Sequence, residues 1–273
     1  MAASRVADHF EREPVWRALS FVLPAQSHLN LGYSPGKHSH LLGSPQARLV
    51  ALVADTLACA PPGRVLDVGC GRGGPAAIVR ARTGRPVVGV DLVATNLEQA
   101  RENAPDASFL RGDARHLPIG DESVAAATAL DTLVYVPETV RALVELKRVL
   151  VPGGTAVVTD LLVGRSIDPS DPRLESFAES FALARLETAD TIREAIDVAG
   201  LTIRAERDLT RASVGGFRRY TRAFLAVTRS PLSRLLVPVA DRVGLELGPL
   251  REQVRIAHRA LPALRHRMFV LSA

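Results

Sequence analysis

The chain has 273 residues, a formal net charge of +5 and a pI near 9.8. Hydrophobic residues make up 47% and charged residues 23%, ordinary values for a globular protein with a sizeable core. No apolar run approaches the roughly 20 residues that span a bilayer, and MAASRVADHFEREPVW at the start carries acids without an apolar stretch, so neither a membrane span nor a signal peptide is expected. Two cysteines, Cys59 and Cys70, are too few for a disulfide framework, and a cytoplasmic location is the natural expectation. The basic residues are nearly all arginine, only Lys37 and Lys147 being lysine, and they are interspersed with acids. With 4% aromatics, this is not the footprint of a nucleic-acid binder.

In chain order, residues 1–24 read as a helix ending before Pro24, and 25–45 as a loop rich in Gly, Pro, Ser and His. PQARLVALVADTLACA (45–60) has helical spacing and stops at Pro61-Pro62-Gly63. Short β-branched runs then alternate with helical stretches. The strands are predicted at 64–69, 86–91, 107–113, 124–132 and 154–162, an alternation that argues for a parallel sheet covered on both faces. VGRSIDPSDPRLESF reads as a turn-rich insertion, 188–200 as a helix ending at Gly200, and LTIRAERDL as a strand. Residues 211–263 look helical and amphipathic, and RHRMFVLSA closes the chain as a strand. The expected organisation is N-terminal helices and a lid (1–60), an α/β core (61–210), a helical cap (211–263) and a final strand (264–273).

VLDVGCGRGGPA, residues 65–76, carries the first chemical signal. Gly69, Gly71 and Gly74 make G-x-G-x-x-G, a dinucleotide signature; Asp67 with Gly69, Gly71 and Gly73 makes D-x-G-x-G-x-G. Either way a strand ends, glycines let the backbone approach a ligand, and a helix starts with its free N–H groups facing it. Asp67 suits a cationic ligand and would repel a pyrophosphate. Further on, VVGVD puts Asp91 at a strand end, where a carboxylate accepts both hydroxyls of a ribose. RGDARHLP puts Asp113 after the next strand, able to take an adenine amino group.

VLDVGCGRGG, VGVD, GDARHLPIGDES, LDTLVYVPE and LKRVLVPGGTAVVTD occur in that order, and with them the chain resembles the class I S-adenosylmethionine-dependent methyltransferases. The likeness covers about residues 25–205, and the last strand fits as well. It implies a doubly wound, mostly parallel seven-stranded sheet and S-adenosyl-L-methionine as cofactor. Its contacts would be Asp67, Gly69, Gly71, Asp91, Leu92, Asn96, Asp113, Ala114 and Leu130. HLNLGYSPG is similar to the lid segment of small-molecule members, in which a tyrosine folds over the cofactor; that implies a contact from Tyr33, and a weaker one from Gln46. Ser34 stands where a second aromatic is usual.

Related O-methyltransferases place His residues just after the fourth strand, supported by an Asp at the end of the fifth. Asp160 matches the Asp, but the His positions read Val134 and Tyr135. The replacement candidates for a base are His28, His38 and His40 in the lid loop, and Tyr135. His38-Ser39-His40 lacks the partner ligands a metal site needs, so no metal is expected. Between Leu209 and Ala240 there are six arginines, Arg211, Arg218, Arg219, Arg222, Arg229 and Arg234, and no acids. They read as the solvent face of a lid helix, or as a surface receiving an anionic or carrier-bound substrate. The leading reading is methyl transfer to a small, largely apolar natural-product acceptor, O-methylation first. C-methylation of a polyketide or isoprenoid, and a cofactor-binding protein that catalyses cyclisation instead, stand as alternatives. A homodimer through the cap is compatible with the sequence.

Overall fold

The computed structural model describes residues 27–36, 44–168, 170–231, 238 and 246–273. The helix expected over 1–24 lies outside these residues, as do His38, His40 and Arg234.

Eight α-helices and seven strands follow in chain order among the described residues: α1 (Pro45–Thr56), β1 (Val65–Val68), α2 (Gly74–Thr83), β2 (Val87–Asp91), α3 (Ala94–Asn103), β3 (Ser108–Arg111), β4 (Val124–Leu130), α4 (Thr139–Val149), β5 (Leu150–Val163), α5 (Pro172–Ser180), α6 (Ala189–Val198), β6 (Thr202–Asp208), α7 (Val214–Arg229), α8 (Leu247–Ala260) and β7 (Leu264–Ser272). The strands form one sheet in the order β3-β2-β1-β4-β5-β7-β6. β1 to β5 pair in parallel, and β7 inserts antiparallel between β5 and β6. This is the expected doubly wound architecture.

The central strands are buried on both faces, which is why β1 and β4 read as unbroken apolar runs instead of alternating ones. One face packs Leu66, Ala127, Val158 and Phe269 against α4 and α6. Ala142, Leu143, Leu146 and Val149 supply the buried stripe of α4, and Ile192, Ala195 and Ile196 that of α6. The other face packs Val65, Ala126, Val157 and Met268 against α1, α2 and α3. Local signals set the helix starts. Ser44 accepts the Ala47 N–H at 3.3 Å ahead of α1, and Thr188 accepts the Thr191 N–H at 3.1 Å ahead of α6.

Two expectations are corrected. β5 begins at Leu150 rather than 154, because Val124 pairs with Leu150 before the register shifts near Ala126, so Pro152-Gly153-Gly154 lies within the strand. The supposedly turn-rich stretch also contains the start of α5. Asp171 caps that helix through the Arg173 N–H at 2.9 Å, and Leu174 and Phe177 anchor it. A third apolar cluster gathers α5, α7 and α8 over the carboxyl end of β5, with Leu29, Tyr135, Phe217 and Phe224 partly buried against it. No helix among the described residues is long and apolar enough to cross a membrane.

Candidate active site

A cleft with an empty volume of about 1020 Å³, open to solvent, lies beyond the carboxyl ends of β1, β2 and β4. Its floor is the glycine turn. Gly69, Gly71 and Gly73 have φ of 69°, 51° and 82°, the left-handed region, whereas Gly74 already belongs to α2. The strained positions thus follow the D-x-G-x-G-x-G spacing. A Cβ on Gly69 would lie 2.5 Å from the Thr132 side chain, and one on Gly73 2.8 Å from the Ala100 Cα.

Asp91, at the end of β2, holds this turn and lines the cleft. Its Oδ2 accepts the Gly71 N–H at 2.8 Å; its Oδ1 accepts the Val93 N–H at 2.9 Å and the Asn96 amide at 3.4 Å. Burial raises its pKa, and the three donors oppose that rise. Asp67 sits one layer lower, 1% exposed and outside the cleft lining. Thr128 Oγ1 donates to its Oδ1 at 2.8 Å, while the buried Oδ2 has no partner. Burial pushes its carboxyl up to about 7. A buried carboxylate oxygen left unpaired beneath a turn that Cβ atoms would block is the setting for a cationic ligand.

Leu92, Asn96, Asp113, Ala114 and Leu130 line the cleft as well. Asp113, however, is engaged by its neighbour. The Arg115 guanidinium grips both carboxylate oxygens, at 2.7 Å for the shortest contact, and reaches Glu138 at 2.7 Å. That ion pair holds the Asp113 carboxyl below its usual range, so the cleft beyond β3 carries an Arg115–Asp113 clasp rather than a bare acid.

At the other end stands Asp131, which the sequence reading passed over within LDTLVYVPE. It lines the cleft at a φ of 52°, uncommon outside glycine. Thr159 Oγ1 and His266 Nε2 donate to its Oδ1 at 2.7 and 2.8 Å, and the Leu31 N–H donates to its Oδ2 at 2.7 Å. Burial works against its charge, but the His266 imidazole and these donors outweigh it and hold the carboxyl below the usual range. Tyr135 lines the cleft beside it, its hydroxyl pushed up by burial and by the charges of Asp131 and Asp160.

The remaining candidates lie elsewhere. Asp160 is 3% exposed and outside the cleft lining. It accepts the Val134 N–H at 2.8 Å and the Leu161 N–H at 2.9 Å, and burial next to Asp131 raises its pKa well above the ordinary value. It props the turn bearing Tyr135. Tyr33 and Gln46 are also outside the lining. The Tyr33 N–H donates to the Pro45 carbonyl at 2.8 Å with the ring against the α1–α2 cluster, and Gln46 Oε1 accepts from Ser44 Oγ at 3.0 Å. His28 lies against the start of α2, where a Cβ on Gly74 would come 2.5 Å from its Nδ1; burial lowers its pKa to about 4. Segment 27–36 crosses the cleft, with Leu29 and Asn30 in its lining. It is fastened by the Gly74 N–H to the Ser27 carbonyl at 3.1 Å and the Ser34 N–H to the Ala212 carbonyl at 2.9 Å.

Fold and cleft together define a class, an α/β protein with a seven-stranded, mostly parallel sheet and a cleft at the carboxyl ends of its strands. Residues 66–158 match the family Methyltransf_11, described as a methyltransferase domain. Over that stretch, about a third of its length, the chain is similar to methyltransferase domains, a likeness that supports S-adenosylmethionine as the cofactor. It is 30% identical over 183 residues to methyltransferase GfsG of Streptomyces halstedii, an alignment spanning 64% of this chain and 66%, just under two thirds, of that protein. Among solved structures it is similar to the [4+2]-cyclase SpnF, with a TM-score of 0.77 and 23% identity, covering 99% of this chain and 96% of that one. It is also similar to geranyl diphosphate C-methyltransferase of Streptomyces coelicolor A3(2), with a TM-score of 0.75 and 16% identity over 99% and 97% of the two chains. At these identities the two structures support the fold.

Proposed function

We propose that the protein transfers the cofactor's methyl group to a hydroxyl of a small, largely apolar natural-product acceptor held under α5, α7 and α8. The observation that carries this reading is the Asp131 carboxylate, ionised and fixed at the point where the cofactor cleft meets the third apolar cluster. Leu29 and Tyr135 belong to both, so the two spaces adjoin.

The cofactor supplies a methyl group on a sulfonium with a good neutral leaving group. Asp91, in the cleft lining, provides the acceptors for its ribose, and Asp67, one layer below, the negative charge beneath its cationic part. Gly69 and Gly71 let the backbone come close. Phe217, Phe224, Leu29 and Tyr135 give the acceptor apolar walls and keep water from the reacting atoms. Asp131 accepts a hydrogen bond from the acceptor hydroxyl and orients one lone pair toward the methyl carbon. As the new C–O bond forms, the hydroxyl oxygen becomes strongly acidic, so a carboxylate held below the usual range suffices to take its proton late. Tyr135, its pKa raised, stays protonated and serves as a donor rather than a base. Asp160, raised well above its ordinary value, is not the base either.

One observation favours a second reading. A carboxylate held below the usual range beside an aromatic ring also suits a carbon acceptor on which positive charge develops, hence C-methylation. Exposed Arg218, Arg219, Arg222 and Arg229 on α7 would favour an anionic or carrier-bound acceptor in either case. Cyclisation without methyl transfer is the third outcome. Locating a labelled methyl in the product by carbon NMR separates the three: on oxygen, on carbon, or absent from a product isomeric with its precursor.

A further inference from the structure

We infer that His266 is a positioning residue for Asp131, and that the carboxylate it fixes is the latch for segment 27–36, so that closing the cleft and presenting the acceptor's proton acceptor are one event. The coupling to the acceptor rests on the reading above; the latch does not.

The donors to Asp131 divide by origin. Thr159 and His266 belong to β5 and β7, adjacent strands locked in antiparallel register with Thr159 opposite Met268 and Leu161 opposite His266. Both donate to Oδ1. The Leu31 N–H, by contrast, belongs to a segment outside the sheet and donates to Oδ2. The sheet therefore saturates one oxygen and turns the other toward the segment and the cleft. The left-handed backbone of Asp131 aims the carboxylate back over the sheet, a conformation that persists only where the surroundings enforce it.

His266 is 0% exposed and is not in the cleft lining, so it acts through Asp131. Packing alone does not account for it. Its buried neighbours along that face of β7 are Leu264 and Met268, and its Nδ1 is buried without a hydrogen-bond partner. An apolar side chain would avoid that penalty; what histidine adds is the Nε2 donor.

The test uses the full chain and four variants, His266→Leu, His266→Gln, Thr159→Val and Asp131→Asn. Glutamine can still present an N–H where Nε2 stands. Amide exchange at Leu31 is measured without ligand, and the release rate of S-adenosylhomocysteine is measured by stopped flow. We expect His266→Leu to cut Leu31 protection and speed release, each by about tenfold or more, the loss of roughly one charge-assisted hydrogen bond. His266→Gln should restore both to within about threefold, and Thr159→Val should shift both in the leucine direction, covering the case where His266→Leu does not fold. Unchanged Leu31 exchange in His266→Leu and Thr159→Val, or equal loss in the leucine and glutamine variants, would overturn the latch. If Asp131→Asn abolishes Leu31 protection yet still transfers labelled methyl to a cell extract, the latch stands and the hydroxyl reading falls.

Discussion

At Gly73 a φ of 82° coincides with a tight approach, since a Cβ there would meet the Ala100 Cα at 2.8 Å and its carbonyl oxygen at 2.9 Å. Backbone atoms on α3 cannot step aside as a flexible side chain would. Gly73→Ala should therefore cost at least about 2 kcal/mol, combining a left-handed alanine with the overlap. Thermal unfolding of the ligand-free protein checks it. Asp91 has a double duty under the proposed function, because the carboxylate proposed for the ribose also holds the Gly71 N–H. Asp91→Ala should weaken S-adenosylhomocysteine binding about a hundredfold by calorimetry, the loss of about two charge-assisted bonds. Both residues were legible as spacing, since a glycine turn and a strand-end acid are local features. Asp131 with His266 was not. The pair is separated by 135 residues and forms only because β7 inserts between β5 and β6. Arg115 is the opposite case: it stands two residues from Asp113, but only the folded turn shows its guanidinium closing on that acid.

At the scale of elements, segment 27–36 and helix α7 carry separate functions. His28 within the segment is neutral at pH 7, its pKa lowered from 6.5 to about 4 by burial. The unfolded segment therefore binds more protons than the docked one between those values, and docking weakens as pH falls through that window. From pH 7 to pH 5 the loss should reach up to about 2 kcal/mol. Amide exchange over 27–36 should speed accordingly in the wild type and stay flatter in His28→Gln. Phe217 and Phe224, a helical period of seven apart, line the inner side of α7. Replacing both with Ala should raise the acceptor KM about tenfold or more while S-adenosylhomocysteine affinity stays within about twofold. The strand and helix pattern up to β5 was readable because a parallel sheet buried on both faces leaves continuous apolar runs. The start of β5 and helix α5 were not, since Pro and Gly residues there read as turns while strand pairing and an Asp171 cap override them.

Across the whole molecule, charge and ligand are linked. Asp67 is raised to about 7 in the ligand-free fold, so its ionised form is disfavoured there, and that fold loses stability as pH climbs from about 4 through 7. A bound cation reverses the preference. S-adenosylmethionine affinity should rise with pH up to about 7 and then level off, with proton release below that point, visible by calorimetry in buffers of different ionisation enthalpy; Asp67→Asn should flatten the curve. The central claim, methyl transfer to a small acceptor, is tested most directly with S-adenosylmethionine labelled on the methyl group. The purified protein, Asp91→Ala and Asp131→Asn are each incubated with a small-molecule extract of the source cells. Label in an extractable compound, attached to oxygen, absent with Asp91→Ala and reduced about a hundredfold or more with Asp131→Asn, is the predicted result. Conversion of an extract compound to an unlabelled isomer by protein that binds the cofactor would contradict it and identify a cyclase-type reaction instead.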